Sequence, residues 1–205
     1  EADEANAEFD SPENVGRLTG DQRALGHVVE PIEVSGSPDD TIAALRRFGP
    51  DLVFNTAEGH HGRMREAVIP LVCEQLGLAH TGAGAHAMAV TLDKQLTKLV
   101  VSAHGVRVPR GQFVTDVAAL DTAALRFPVI VKPNFEGSSK GITLDSVVDD
   151  EAALRQRVAA TLERYGIGVL VEEFVAGHDV AVPFLEAVGG ARGGVLDPVE
   201  YGIDG

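Results

Sequence analysis

A run of apolar residues that ends in Lys-Pro and opens at once into a glycine- and serine-rich loop, FPVIVKPNFEGSSKGI at residues 127–142, restricts this chain more than any other feature. A short apolar run rich in β-branched residues reads as a buried strand. Here it delivers Lys132 to Pro133, and the loop with Gly137, Ser138, Ser139 and Gly141 follows. Glycines let consecutive backbone N–H groups converge on an anion, serine hydroxyls add donors, and a lysine supplies a point charge, so the segment suits a triphosphate. It is neither GxxxxGK[ST] nor GxGxxG, which excludes the two commonest phosphate loops. A plain strand–turn–strand, in which Gly and Ser only turn the chain, has the same composition.

The segments before residue 90 alternate helix and strand. Ser11 caps a helix to Leu25 with Pro12 at its first position, and a strand is expected over 27–34. A helix over 39–48, starting at Asp39 or Asp40 and stopped by Gly49-Pro50, leads to DLVFN, read as a short buried strand of the parallel type. A helix over 67–76 tolerates Pro70 in its first turn and ends at Gly77. Thr91 is expected to cap a helix over 92–104 whose apolar face (Leu92, Leu96, Leu99, Val100, Ala103) packs inward.

Downstream, helices are expected over 117–125 and 151–165. Strands are expected at PVIVK, GITL and VLVEE, and two more are joined by a Gly189-Gly190 turn. The fold class is therefore α/β followed by α+β, with residues 1–90 as one domain and 91–205 as the other, its central part at 112–175 and the start of a further sheet at 176–205. EADEANAEFD is too polar for the strand that normally opens such a domain, and VLDPVEYGIDG lacks a terminal helix, so the chain reads as incomplete at both ends.

Composition removes several function classes. A hydrophobic fraction of 44% with 23% charged residues belongs to a globular chain, and a formal charge of −14 repels nucleic acid. No apolar run reaches the ~18 residues that span a bilayer, and the acidic N-terminus is unlike a signal peptide, so a cytoplasmic place is expected. Cys73 is the one cysteine, which excludes an intrachain disulfide and reads as a buried small hydrophobe.

Three further segments bear on chemistry. Lys94 lies at a helix start with Lys98 one turn later on the same face, either as phosphate ligands or as a solvated face. VLVEEFVAGHDV sets Glu172 and Glu173 against an apolar strand, with Phe174, Val175 and Asp179 beyond. Such a hinge offers backbone groups and an apolar side chain to adenine and a carboxylate to ribose; solvated carboxylates at a strand end are the plain alternative. FNTAEGHHGRMREA follows a predicted parallel strand, where open α/β sheets bind ligands, and the adjacent His60 and His61 diverge too far for a zinc pair.

Together these segments resemble the ATP-grasp superfamily, specifically the D-alanine–D-alanine ligase group, from about Asp51 to Leu185. TLDKQLTK is similar to the family's "MDK…TK" helix, VKPNFEGSSKG to its "VKP…EGSS.G" loop, VLVEEF to its "VEEF" hinge and LGLAHTG to its "LGIPYTG" turn. The resemblance implies an ATP-grasp fold, a Rossmann-like N-terminal domain followed by grasp subdomains. It also implies a carboxylate–amine ligase that uses ATP and Mg2+ on amino acids or peptides, often as a homodimer. It places Lys94 and Lys132 on ATP phosphates and Glu136, Ser138 and Ser139 in the closing loop. It sets Glu172, Glu173, Phe174 and Val175 about adenine, and Asp179 on ribose. The family's metal-binding Asp and Glu-x-Asn are not found in this sequence, so no metal ligand is assigned and the segment by itself is expected to be inactive. Where the family carries "HG…GEDG" this chain has AEGHHGRMREA, with Arg63, Arg65 and Glu66 in one stretch, which suits an amino acid or peptide of a different charge pattern; Arg63 and Glu66, with Ser138 of the loop, are the candidates for substrate contact. A specialised peptide substrate and a non-catalytic nucleotide-binding module are the alternative readings.

Overall fold

Helix Glu151–Tyr165 and the strands it covers form the best-packed part of the molecule, and local chemistry explains the helix ends. The Asp150 carboxylate accepts from Ala153 N, and Gly166 closes the helix at φ 67°, a left-handed conformation that costs glycine little. Asp150→Ala is expected to cost about 1 kcal/mol, checked by thermal melting of the variant. The computed structural model describes residues 9–186 and 193–201, so the Gly189-Gly190 turn lies outside the described residues.

In chain order the helices are α1 (Pro12–Ala24), α2 (Pro38–Phe48), α3 (Val68–Leu76), α4 (Ala85–Leu92), α5 (Lys94–Ala103) and α6 (Glu151–Tyr165). The strands are β1 (Leu52–Val53), β2 (Ala79–His80), β3 (Gly111–Val114), β4 (Val129–Pro133), β5 (Val147–Val148), β6 (Val169–Glu173), β7 (Asp179–Ala181) and β8 (Val199–Tyr201). The chain divides into two compact units, Glu1–Glu173 and Phe174–Gly205. The expected domain boundary near Val90 falls within α4.

In the first unit β1 and β2 pair in parallel, while β3, β6, β4 and β5 form an antiparallel sheet in that order. Strand alternation gives this sheet two faces. Val129, Val131, Val169 and Val171 turn toward α6 and close on Leu154 and Val158 of that helix, all fully buried. Burial of each such side chain contributes roughly 1.5–3 kcal/mol. Ile130, Lys132, Leu170 and Glu172 alternate with them and so belong to the opposite face. The second unit pairs β7 with β8 antiparallel, with a bridge between Phe184 and Val195.

Several expectations are corrected. Residues 27–34 form no strand; Val28 is 87% exposed, and without a neighbour to complete a ladder an extended segment is only coil. The strand at DLVFN shrinks to two residues and is not buried, since Leu52 and Phe54 are about half exposed on a two-stranded sheet. α2 starts one residue early, at Pro38, because the Ser37 hydroxyl and not an aspartate caps it. Thr91 caps nothing: its hydroxyl donates back to Ala87 O in α4, an unforeseen helix, and Asp93 caps α5 through Leu96 N.

The apolar face of α5 does not pack inward as expected, for Leu96, Leu99 and Val100 are exposed and only Leu92, which closes α4, is buried. The helix expected over 117–125 is one 3-10 turn, Val117–Ala119, because Asp116 and Asp121 each fold back on backbone N–H groups two residues on. GITL is a turn leading to a 3-10 turn, Leu144–Ser146, and the ladder is taken up by β5. β3 was not foreseen: GQFV borrows its order from β6.

Candidate functional site

The face of the sheet away from α6 carries the charged groups, and register brings them together. Lys132 sits opposite Leu170 and Ile130 opposite Glu172, so Lys132 reaches Glu172 on the diagonal at 2.9 Å. Lys98, one turn into α5, takes the other carboxylate oxygen at 2.5 Å. Both oxygens of Glu172, whose side chain is 7% exposed, are thus held by ammonium groups. Burial by itself pushes this carboxyl up, but hydrogen bonds from Lys98 and Lys132 and their charges outweigh it, and the net shift is below the ordinary value.

α5 is docked by a residue that sequence reasoning missed. Asn134, fully buried directly after the Lys-Pro pair, donates to Asp93 Oδ1 at 2.7 Å and accepts from Gln95 N at 2.9 Å. Its carbonyl accepts from Lys94 N, and its N–H reaches Gly168 O. The end of β4 is therefore clamped to the N-terminus of α5, and Lys94 is aimed at the loop that follows. Its ammonium donates to the Glu136 carbonyl. Burial first, and the neighbouring Lys132 second, push Lys94 below its ordinary value, so an incoming polyanion would favour its charged form. The signal for Asn134 was in the KPN triplet, but only the register of α5 gives it meaning.

Loop 135–140 lies between two anchors. At its entrance Phe135 is buried edge-on to Phe113, whose ring is also where a Cβ on Gly168 would land, at 2.3 Å. At its exit Arg157 of α6, likewise unforeseen, donates to Gly141 O at 3.1 Å and Ser146 Oγ at 2.8 Å. Between them Ser138 and Ser139 are exposed and adopt φ of 45° and 57°, left-handed conformations that cost a serine free energy and turn successive N–H groups to one side. Glu136 pairs with Lys140 at 3.1 Å.

The substrate candidates come from the loop after β1. Arg63 is exposed, with its guanidinium 4.4 Å from the centre of the Phe135 ring. Glu66 is half-buried near Arg65, and Arg65 itself is 7% exposed and donates to Phe135 O. The first unit thus gathers Lys94, Lys132, Glu136, Ser138, Ser139 and Glu172 with Arg63 and Glu66. Glu173, at the end of β6, keeps one carboxylate oxygen buried without a partner, and its N–H donates to Arg110 O. Phe174, Val175 and Asp179 belong to the second unit, all exposed, with Asp179 opposite Tyr201. His60 and His61 stand with ring centres 6.2 Å apart, and among the described residues no three His, Cys, Asp or Glu side chains gather as a metal site.

Comparison with known proteins gives one consistent picture. A family profile described as "D-ala D-ala ligase C-terminus" matches residues 106–196. The chain is 37% identical to a D-alanine–D-alanine ligase of Gluconobacter oxydans over 158 residues, 77% of this chain and 50% of that protein. It is 38% identical to the ligase so named from Haemophilus ducreyi over 189 residues, 89% of this chain and 57% of that protein. The chain therefore spans about half the length of these curated relatives. Among solved structures, the D-alanine–D-alanine ligase of Bacillus anthracis complexed with ATP aligns with a TM-score of 0.64 at 18% identity, covering 94% of this chain and 67% of that one. That likeness extends to the fold, the ATP-grasp fold.

Proposed function

Starting from a chain that belongs to the D-alanine–D-alanine ligase-like ATP-grasp family, we propose that the whole protein is an ATP-dependent carboxylate–amine ligase. A substrate carboxylate oxygen attacks the γ-phosphorus, the bond to the bridging oxygen breaks, and ADP leaves an acylphosphate behind. An amine then adds to the acyl carbon, loses a proton, and expels inorganic phosphate to form an amide. Phosphoryl transfer needs positioned charge more than a side-chain nucleophile. The observation that carries the reading is the convergence of Lys94, Lys132 and the Glu136–Lys140 loop on one side of the first unit, with two serines already in left-handed conformation. Lys94 and Lys132 take the phosphates. Loop 135–140 closes over them, excluding water that would hydrolyse an acylphosphate. Glu172 and Glu173, at the end of β6, receive adenine.

Mg2+ is part of this reading through the family alone, and no step here is routed through a metal. The cytoplasm and a homodimer belong to the same reading. No helix among the described residues is long and apolar enough to cross a membrane. The substrates are amino acids or peptides, and the segment with Arg63 and Glu66 favours a specialised one over D-alanine, because its arginines replace the family's "GEDG" and suit a substrate of a different charge pattern. A panel of amino acids and dipeptides scored by ADP release tests this; strong preference for D-alanine with D-alanine would refute it.

The nucleotide site is tested by ATP calorimetry, with and without magnesium, on the chain and on Lys132→Ala. Loss of one charge-assisted phosphate contact is expected to weaken binding roughly ten- to a hundredfold. Equal affinity of parent and variant would overturn the assignment.

A further inference from the structure

The loop after β1 and the phosphate loop meet at one side chain. Arg65, in the 3-10 turn Arg65–Ala67 ahead of α3, is buried and donates from Nη1 to Phe135 O at 2.7 Å. Its Nη2 lies 3.7 Å from Glu136 Oε2 and 3.9 Å from Glu66 Oε1. The same Glu136 oxygen takes Lys140 at 3.1 Å, and the Glu136 carbonyl takes Lys94. Glu136 is thus a carboxylate with its side chain only 13% exposed, shared between a lysine of the phosphate loop and an arginine from outside it.

We infer that Arg65 is a positioning residue for the nucleotide, supplying the counter-charge to the Glu136 carboxylate when a polyphosphate draws Lys94 and Lys140 to itself. The inference rests on the phosphate-loop reading above and deepens it. A triphosphate competes with Glu136 for Lys140 and displaces the Glu136 carbonyl from Lys94. A carboxylate left buried without a counter-charge opposes that exchange. Arg65 removes the opposition, and its bond to Phe135 O fixes the loop entrance at the same time. The loop carrying the substrate candidates is pressed against this arginine: a Cβ on Gly59 would lie 2.3 Å from Arg65 O.

The test is a double-mutant cycle read in ADP affinity by calorimetry on the chain, using Arg65→Met, Glu136→Gln and both together, with Arg65→Lys as the conservative variant and thermal melts of each to establish folding. Arg65→Met is expected to weaken ADP about tenfold. Glu136→Gln in the Arg65→Met background is expected to recover most of that loss, because no charge is then stranded, and Arg65→Lys to retain most of the parent affinity. A merely structural arginine would lower the melting temperature with no recovery from Glu136→Gln. Additive effects in ADP affinity, or parent-like affinity of Arg65→Met, would overturn the inference alone if Lys132→Ala still weakens binding by the expected roughly ten- to a hundredfold. No ADP binding by the folded parent would overturn it together with the phosphate-loop reading.

Discussion

Glu172→Ala is expected to cost about 3–5 kcal/mol of stability, because it strands two ammonium groups that share one buried carboxylate. Lys98 and Lys132 lie 2.5 Å and 2.9 Å from the two oxygens of Glu172, with side chains 15% and 27% exposed. Without the carboxylate they face each other across a site with little water to screen them. Urea unfolding at neutral pH measures the loss as a lowered midpoint, and Lys98→Met added to Glu172→Ala should restore part of it.

The pH dependence has a defined sign. The folded-state pKa of Glu172 lies below the ordinary 4.5, so its contribution is fully present above that value and disappears as pH falls through the lower folded value. Parent stability should therefore fall on the acid side of about pH 4.5, more steeply than that of Glu172→Gln. Identical acid limbs for the two proteins would mean that the carboxylate is not held as described.

The second large effect concerns Asn134. Its truncation to alanine removes the partner of Gln95 N–H and one partner of the Asp93 carboxylate in a fully buried place. Gln95 N–H is left without a partner while Asp93 keeps its bond from Leu96 N, a loss of about 1–3 kcal/mol. Because the lost bonds join β4 to the start of α5, nucleotide affinity should fall along with stability as Lys94 loses its aim. Amide exchange at Gln95 and Leu96 should rise before exchange in α6 does. Asn134→Asp is expected to be worse than alanine at neutral pH, since it sets a second carboxylate against Asp93, and to improve on acidification. An Asn134→Ala protein with unchanged exchange at Gln95 would refute the clamp.

The elements legible in the amino-acid order are those whose instructions are local. α6 begins and ends where Asp150 and Gly166 place it, and β6 runs over the VLVEE that its apolar run predicts. α1 follows from Ser11 and Pro12. Missed elements depend on partners far along the chain. Residues 27–34 have a strand's composition and no ladder, whereas GQFV becomes β3 because Gly111 can lie where any Cβ would meet Val171 O at 2.2 Å. The apolar stripe on α5 has the helical period but stays exposed, since a period states which residues share a face and not what covers it.

The candidate site divides in the same way. Residue type and spacing alone made residues 132–141 a candidate for phosphate, because glycine freedom, serine donors and a strand-end lysine act within ten residues. Tertiary structure decided which charges meet. Glu172 could have been a solvated strand end, but the pairing of β4 with β6 and the docking of α5 set it between Lys132 and Lys98, 40 and 74 residues away. Arg65 could have served the substrate, and burial against Phe135 turned it toward the phosphate loop. Burial and sheet register are properties of many residues at once, and the partner of a charge follows from them.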